Sequence, residues 1–84
     1  MKKSILLVLV GNRQESAVKV QKILTEMGRF VKTRLGIHDV APESCANTGL
    51  IILELVGKES EKKEVVKKLE AVEHVNVKLV NLSI

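Results

Sequence analysis

Three places in this chain carry side chains that could do chemistry. The first is Gly11-Asn12-Arg13, directly ahead of a predicted helix. The first turn of a helix leaves backbone N–H groups without intrahelical partners, and such groups suit an anion or a carboxylate. The Arg13 guanidinium would add a charged fork beside them. The plain alternative is a capped turn with a solvated arginine. The second place is Glu54, the single charge inside the apolar run Leu50 to Val56. A neighbouring strand carrying Lys32 and Arg34 could close a cross-strand ion pair with it, or Glu54 and Arg34 could contact a ligand. The third is the polar stretch from His38 to Thr48, which holds His38, Asp39 and Cys45, with His74 far along the chain.

This third set lacks the pattern that metal or nucleophilic chemistry needs. Metal sites require several ligands converging at a defined spacing. There is no CxxC, and the two histidines are far apart. Cys45 is the sole cysteine, so no disulfide can form within the chain. No histidine is placed beside it by pattern, which makes it an unpaired loop thiol and not a nucleophile. No catalytic residue, metal or cofactor is expected.

Composition narrows the function classes. The 84 residues make one domain, of which 45% are hydrophobic and 1% aromatic. Phe30 is the only aromatic residue, so the core must be built from Val, Leu and Ile. The net charge is +4, and Lys and Glu are interspersed, above all from Lys58 to Glu70. That pattern marks a solvated helix face more than a nucleic-acid surface. The apolar run after Lys2-Lys3 is too short for a signal peptide, and no stretch reaches the roughly 20 apolar residues of a membrane span. A soluble cytoplasmic protein is expected.

The elements that must position these residues are legible in the hydropathy pattern. Ser4 to Val10 and Leu50 to Val56 read as strands that are apolar at almost every position. Side chains of a strand alternate between two faces, so such strands need cover on both. Phe30 to Ile37 reads as a strand with Val31, Thr33, Leu35 and Ile37 on one face and Lys32 and Arg34 on the other. Val75, Val77 and Leu79 alternate with Asn76 and Lys78 in a last strand that runs to about Leu82.

Two amphipathic helices lie between these strands. In the first, Ala17, Val20, Leu24 and Met27 form the stripe, widened by Val18 and Ile23. Asn12 and Glu15 have the spacing of a capping box. Gly28 is expected to stop this helix in a left-handed terminus. The second runs from Ser60 to about Val72 with Val65, Leu69 and Val72 inward, and Glu59–Lys63 and Glu64–Lys68 are spaced as ion pairs.

The order β-α-β-β-α-β suits the α+β ferredoxin-like sandwich. That fold is a four-stranded antiparallel sheet of order 4-1-3-2 with two helices on one face. The first and third strands would be its centre, here taken to run parallel to each other. Right-handed crossovers put both helices on the same side. The other side is left bare, a patch of about several hundred Å², more than monomers usually expose. Leu6, Val8 and Val10 beside Leu50, Ile52 and Val56 are one example of a set it could carry. A homodimer or homotetramer follows as the expectation.

With that order in place, the chain resembles the small iron-only hydrogenase system regulators. These are themselves similar to ACT domains and to the C-terminal domain of nickel-responsive repressors. The resemblance lies in the first apolar strand, the helix ending Glu26-Met27-Gly28, the segment Arg34-Leu35-Gly36-Ile37 and the Gly57 turn. It implies a single ACT-like regulatory domain over residues 1–84, non-enzymatic, that assembles through its sheet. ACT-type relatives bind small effectors between subunits near the turn after the first strand, which implies Gly11, Asn12 and Arg13 here. The His-rich set of the nickel repressors is not reproduced, so nickel sensing is not carried over.

Other occupants of this architecture fit less well. An RNA-binding sheet needs aromatics on its central strands, and a metallochaperone needs CxxC in its first loop. An acylphosphatase-like enzyme needs more than Asn12 and Arg13. There is no room for a DNA-binding ribbon-helix-helix segment, so no direct nucleic-acid contact is expected. The alternatives kept are an interaction module without a ligand, a small metal-binding protein, and a small enzyme using the 38–48 loop.

Overall fold

The first apolar run forms strand β1 (Lys2–Val10), and it is paired on both sides. In this computed structural model, residues 1–11, 14–38 and 49–84 are described. The remaining elements are α1 (Gln14–Glu26), a short 3₁₀ turn (Gly28–Phe30), β2 (Val31–His38), β3 (Gly49–Leu55), α2 (Glu59–Glu70) and β4 (Val75–Ser83). They form one four-stranded sheet of order β2-β3-β1-β4, the arrangement anticipated from the sequence.

One detail of that expectation is corrected. The central strands β1 and β3 run antiparallel, with Leu6 opposite Leu53 and Val8 opposite Ile51. Each βαβ crossover leaves a one-strand gap, and the central strand of the other unit fills it in the opposite direction. The strands that share a direction are therefore never neighbours.

The register decides which face is open. Residues directly opposite in an antiparallel pair share a face. Ser4, Leu6, Val8 and Val10 of β1 are buried, together with Ile51, Leu53 and Leu55 of β3. They pack with Val20 and Leu24 of α1 and with Val65 and Leu69 of α2. The open face carries Ile5, Leu7 and Leu9 with Leu50, Ile52 and Glu54. The example set of the sequence reading is therefore mixed. Leu50 and Ile52 do lie on the open side, but Leu6, Val8 and Val10 lie under the helices.

Three local expectations also change. Val31 opposes Leu55 whereas Thr33 opposes Glu54, because the register shifts between them. This irregularity turns Val31 to the helix side, where it packs on the core, while Thr33 and Leu35 keep the open side. Val18 is 61% exposed and not part of the buried stripe. Ser16, hydrogen-bonded to the Glu73 carbonyl at 2.6 Å, is buried on α1 with Val20 and Leu24. Gly28 does not end α1 in a left-handed conformation; it opens the 3₁₀ turn. Among the described glycines only Gly57 has a positive φ, at 110°, where a Cβ would also meet Glu61 Oε1 at 2.9 Å. That Glu61 carboxylate accepts the Lys58 backbone N–H at 2.7 Å and fixes the start of α2.

Candidate functional site

The end of β1 meets the start of β4 through a close backbone approach. The Gly11 N–H donates to the His74 carbonyl at 2.7 Å. A Cβ on Gly11 would sit 2.8 Å from that oxygen and 3.1 Å from His74 Cβ. Only glycine fits without a shift. His74 itself takes φ 62°, a left-handed conformation for a residue with a side chain. Ser16 ties the same turn to α1 through its bond to Glu73.

Two depressions flank this knot. One is lined by Gln14, Glu15, Ser16, Val18, Lys19 and the Glu73-His74 turn. The other is lined by Leu9, Gly11, His74, Val75 and Asn76. His74 borders both. The Gly11 N–H is engaged by its bond to the His74 carbonyl, and the lack of a side chain lets β1 end against the turn. Asn12 and Arg13 lie outside the described residues, as does the capping-box reading of Asn12. The 39–48 segment with Asp39 and Cys45 also lies outside them. His38 ends β2 opposite Gly49.

Arg34 and Glu54 are placed apart from Gly11 and from each other's face. Glu54 opposes Ile5 near the start of β1, six residues from Gly11. At the rise of an antiparallel strand that is about 20 Å. Glu54 Oε2 accepts from Lys3 Nζ at 3.0 Å. That hydrogen bond holds its carboxyl below the usual glutamate range; partial desolvation opposes the shift, and the charges of Lys3 and Lys32 and the Thr33 hydroxyl add to it. The ion pair foreseen for Glu54 therefore forms mainly with β1. Arg34 opposes Leu53, on the helix side, and donates to Gln21 Oε1 of α1. One chain does not bring Gly11, Arg34 and Glu54 into a single pocket.

The sequence reading missed a polar cluster at the other end of the covered face. Lys62 of α2 is buried and its Nζ donates to Ser4 Oγ at 3.0 Å. Ser4 Oγ in turn donates to Asn81 Oδ1 at 2.8 Å. Glu59 receives Lys2 Nζ at 3.1 Å and stands 3.5 Å from Lys62 Nζ. The hydrogen bond from Lys2 is the main cause of a lowered carboxyl pKa there. Ion pairing at Glu59 is thus to Lys2 and Lys62, and neither Glu59–Lys63 nor Glu64–Lys68 forms. Ser4, a polar residue at a position whose alternates are all core, was the available signal. This cluster pins α2, β1 and β4 together.

Among the described residues no group of three His, Cys, Asp or Glu could hold a metal. No helix there is long and apolar enough to cross a membrane.

This geometry can be set beside known proteins. No protein-family model matches the chain, and no curated protein matches it. Solved structures do. An uncharacterized protein, TM1266 from Thermotoga maritima, is 26% identical, with 99% of this chain and 100% of that one covered at a TM-score of 0.83. The ACT domain of a GTP pyrophosphokinase from Chlorobium tepidum is 12% identical, with 95% and 97% covered at a TM-score of 0.69. A formyltetrahydrofolate deformylase from Pseudomonas putida is 14% identical at a TM-score of 0.57; the match covers 93% of this chain and 28% of that one. The chain has an ACT-like, ferredoxin-like fold.

Proposed function

We propose that this chain is a regulatory, non-enzymatic domain that assembles through its open sheet face and binds a small effector between copies. The observation that carries the reading is the ACT-like fold with an apolar sheet face that its own helices leave uncovered. On that face Leu9 is 48% and Leu35 54% exposed, with Ile5, Leu7, Leu50 and Ile52 partly exposed beside them. A cytoplasmic homodimer or homotetramer would cover the groups on β1 and β3. The effector site of this reading is the β1–α1 end; the depression beside the Gly11–His74 contact supports it, and Arg13 follows in sequence.

Support for a non-enzymatic role comes from the chemistry beside that depression. The Ser16 hydroxyl is spent on a backbone carbonyl and not on a base. The finer assignment, to an iron-only hydrogenase system, rests on the sequence resemblance alone. An interaction module without a ligand is favoured by the same apolar face and shares the assembly.

Thermal-shift screening against amino acids, nucleotides and metals separates the two. Saturable stabilisation that weakens at least tenfold in Arg13→Ala supports an effector site. Absence of any shift across the screen removes the effector and leaves the interaction module.

A further inference from the structure

Two charged groups on the open face have a bearing on how copies would meet. Lys78 of β4 opposes Leu7, which opposes Ile52, so all three share that face. Lys78 is exposed and makes no ion pair among the described residues. Glu54 is the only carboxylate on the described part of this face, and its side chain is already reduced to 19% exposure. A face-to-face contact would draw Lys78 toward an apolar surface, and a buried charge without a partner is strongly destabilising. Glu54 can accept more than the bond from Lys3, because a carboxylate has about four acceptor positions.

Symmetry restricts the ways to pair them. Sheets stack face to face about 10 Å apart. A two-fold axis parallel to the strands and lying over β1 carries β4 of one copy across β3 of the other. Lys78 then stands over the Ile52 row, two residues from Glu54 along β3. That offset is about 7 Å, within reach of a lysine stem lying along apolar surface. An isologous contact makes the pair twice.

We propose that two copies of this chain close on each other with Lys78 of each against the partner's Glu54, the axis lying over β1. This rests on the assembly reading above and adds its orientation. The test uses the full chain, with light scattering and sedimentation over a concentration series, and circular dichroism to confirm folding. Lys78→Glu and Glu54→Lys each place like charges across the contact twice, and each should weaken self-association at least tenfold. An equimolar mixture of the two variants restores opposite charges at both pairs, so it should associate as tightly as the wild type. Should either charge reversal fail to fold, Glu54→Gln and Lys78→Ala each remove both pairs without repulsion, and their equimolar mixture keeps one pair of the two, so it should associate more tightly than either variant alone. Wild-type association together with unchanged single variants, or a mixture that does not recover, overturns the orientation and leaves the assembly standing. A wild type that stays monomeric at the highest concentration overturns both.

Discussion

Strand β1 carries two sets of branched apolar residues with opposite fates. Leu6 and Val8 are fully buried beneath α1 and α2, and Val10 nearly so, while Ile5, Leu7 and Leu9 between them remain partly open. The two sets are chemically alike, so hydrophobicity does not distinguish them. What does is the side to which the crossovers carry the helices. The covered face stabilises the single chain. The open face is apolar surface in water until something covers it, at roughly 25 cal/mol per Å². The covered face also tolerates charge only under tight bonding, as at Lys62, whereas the open face leaves Lys78 exposed.

The strongest way to break this contrast is truncation on each face. Leu53→Ala, at a fully buried position, should cost about 3–4 kcal/mol in chemical denaturation at every protein concentration. Ile52→Ala, one residue away on the open face, should cost less in dilute protein and more as concentration rises. Equal costs for both in the most dilute samples would show that the open face is already buried within one chain.

Next in size is Gly11→Ala. Its Cβ would meet the His74 carbonyl oxygen at 2.8 Å, a backbone atom that cannot swing aside as a flexible side chain would. A loss of about 2 kcal/mol in thermal or denaturant unfolding is expected, with faster exchange of the residue-11 amide that bonds the His74 carbonyl. A neutral result would mean that the β1 end moves aside freely. Ser4→Ala tests the polar exception on the covered face. It removes the acceptor of Lys62 Nζ and the donor to Asn81, and should cost about 1–2 kcal/mol. An unchanged midpoint would show that Lys62 finds water or Glu59 instead.

The smallest effect concerns Glu54. Its carboxyl lies below the usual glutamate range because Lys3 is bonded to it. A lowered folded-state pKa means that its stabilisation is fully present above the unfolded-state value. It is lost as pH falls through the folded-state value. Glu54→Gln should therefore lose this contribution at neutral pH, converge with the wild type at low pH, and so flatten part of the acid limb of the stability curve. A variant curve parallel to the wild type throughout the acid range would remove the Lys3 pair from the account.

Much of the fold was legible because its signals are local. The unbroken run Ile5 to Val10, the stripe Val20–Leu24 and the stripe Val65–Leu69 each declare an element through their own spacing. Lys62 was not legible, because a lysine inside an alternating Lys/Glu helix looks solvated until Ser4 and Asn81 are brought beneath it. Val31 was misassigned because a strand irregularity leaves no mark in an alternating pattern. At the candidate site, only part of what Gly11 does was legible. The sequence shows a turn glycine, while the tight approach to His74 joins residues distant in the chain.

Residue order by itself therefore determined the element types, the βαββαβ sequence and the excess of apolar surface over what two helices can cover. Periodicity is a property of neighbours along the chain, and it survives without coordinates. Tertiary structure alone decided which alternate set is open, that β1 and β3 run antiparallel, and that Glu54 meets Lys3 while Arg34 meets Gln21. Each of these depends on register between strands, and a one-residue slip exchanges the two faces of a strand entirely.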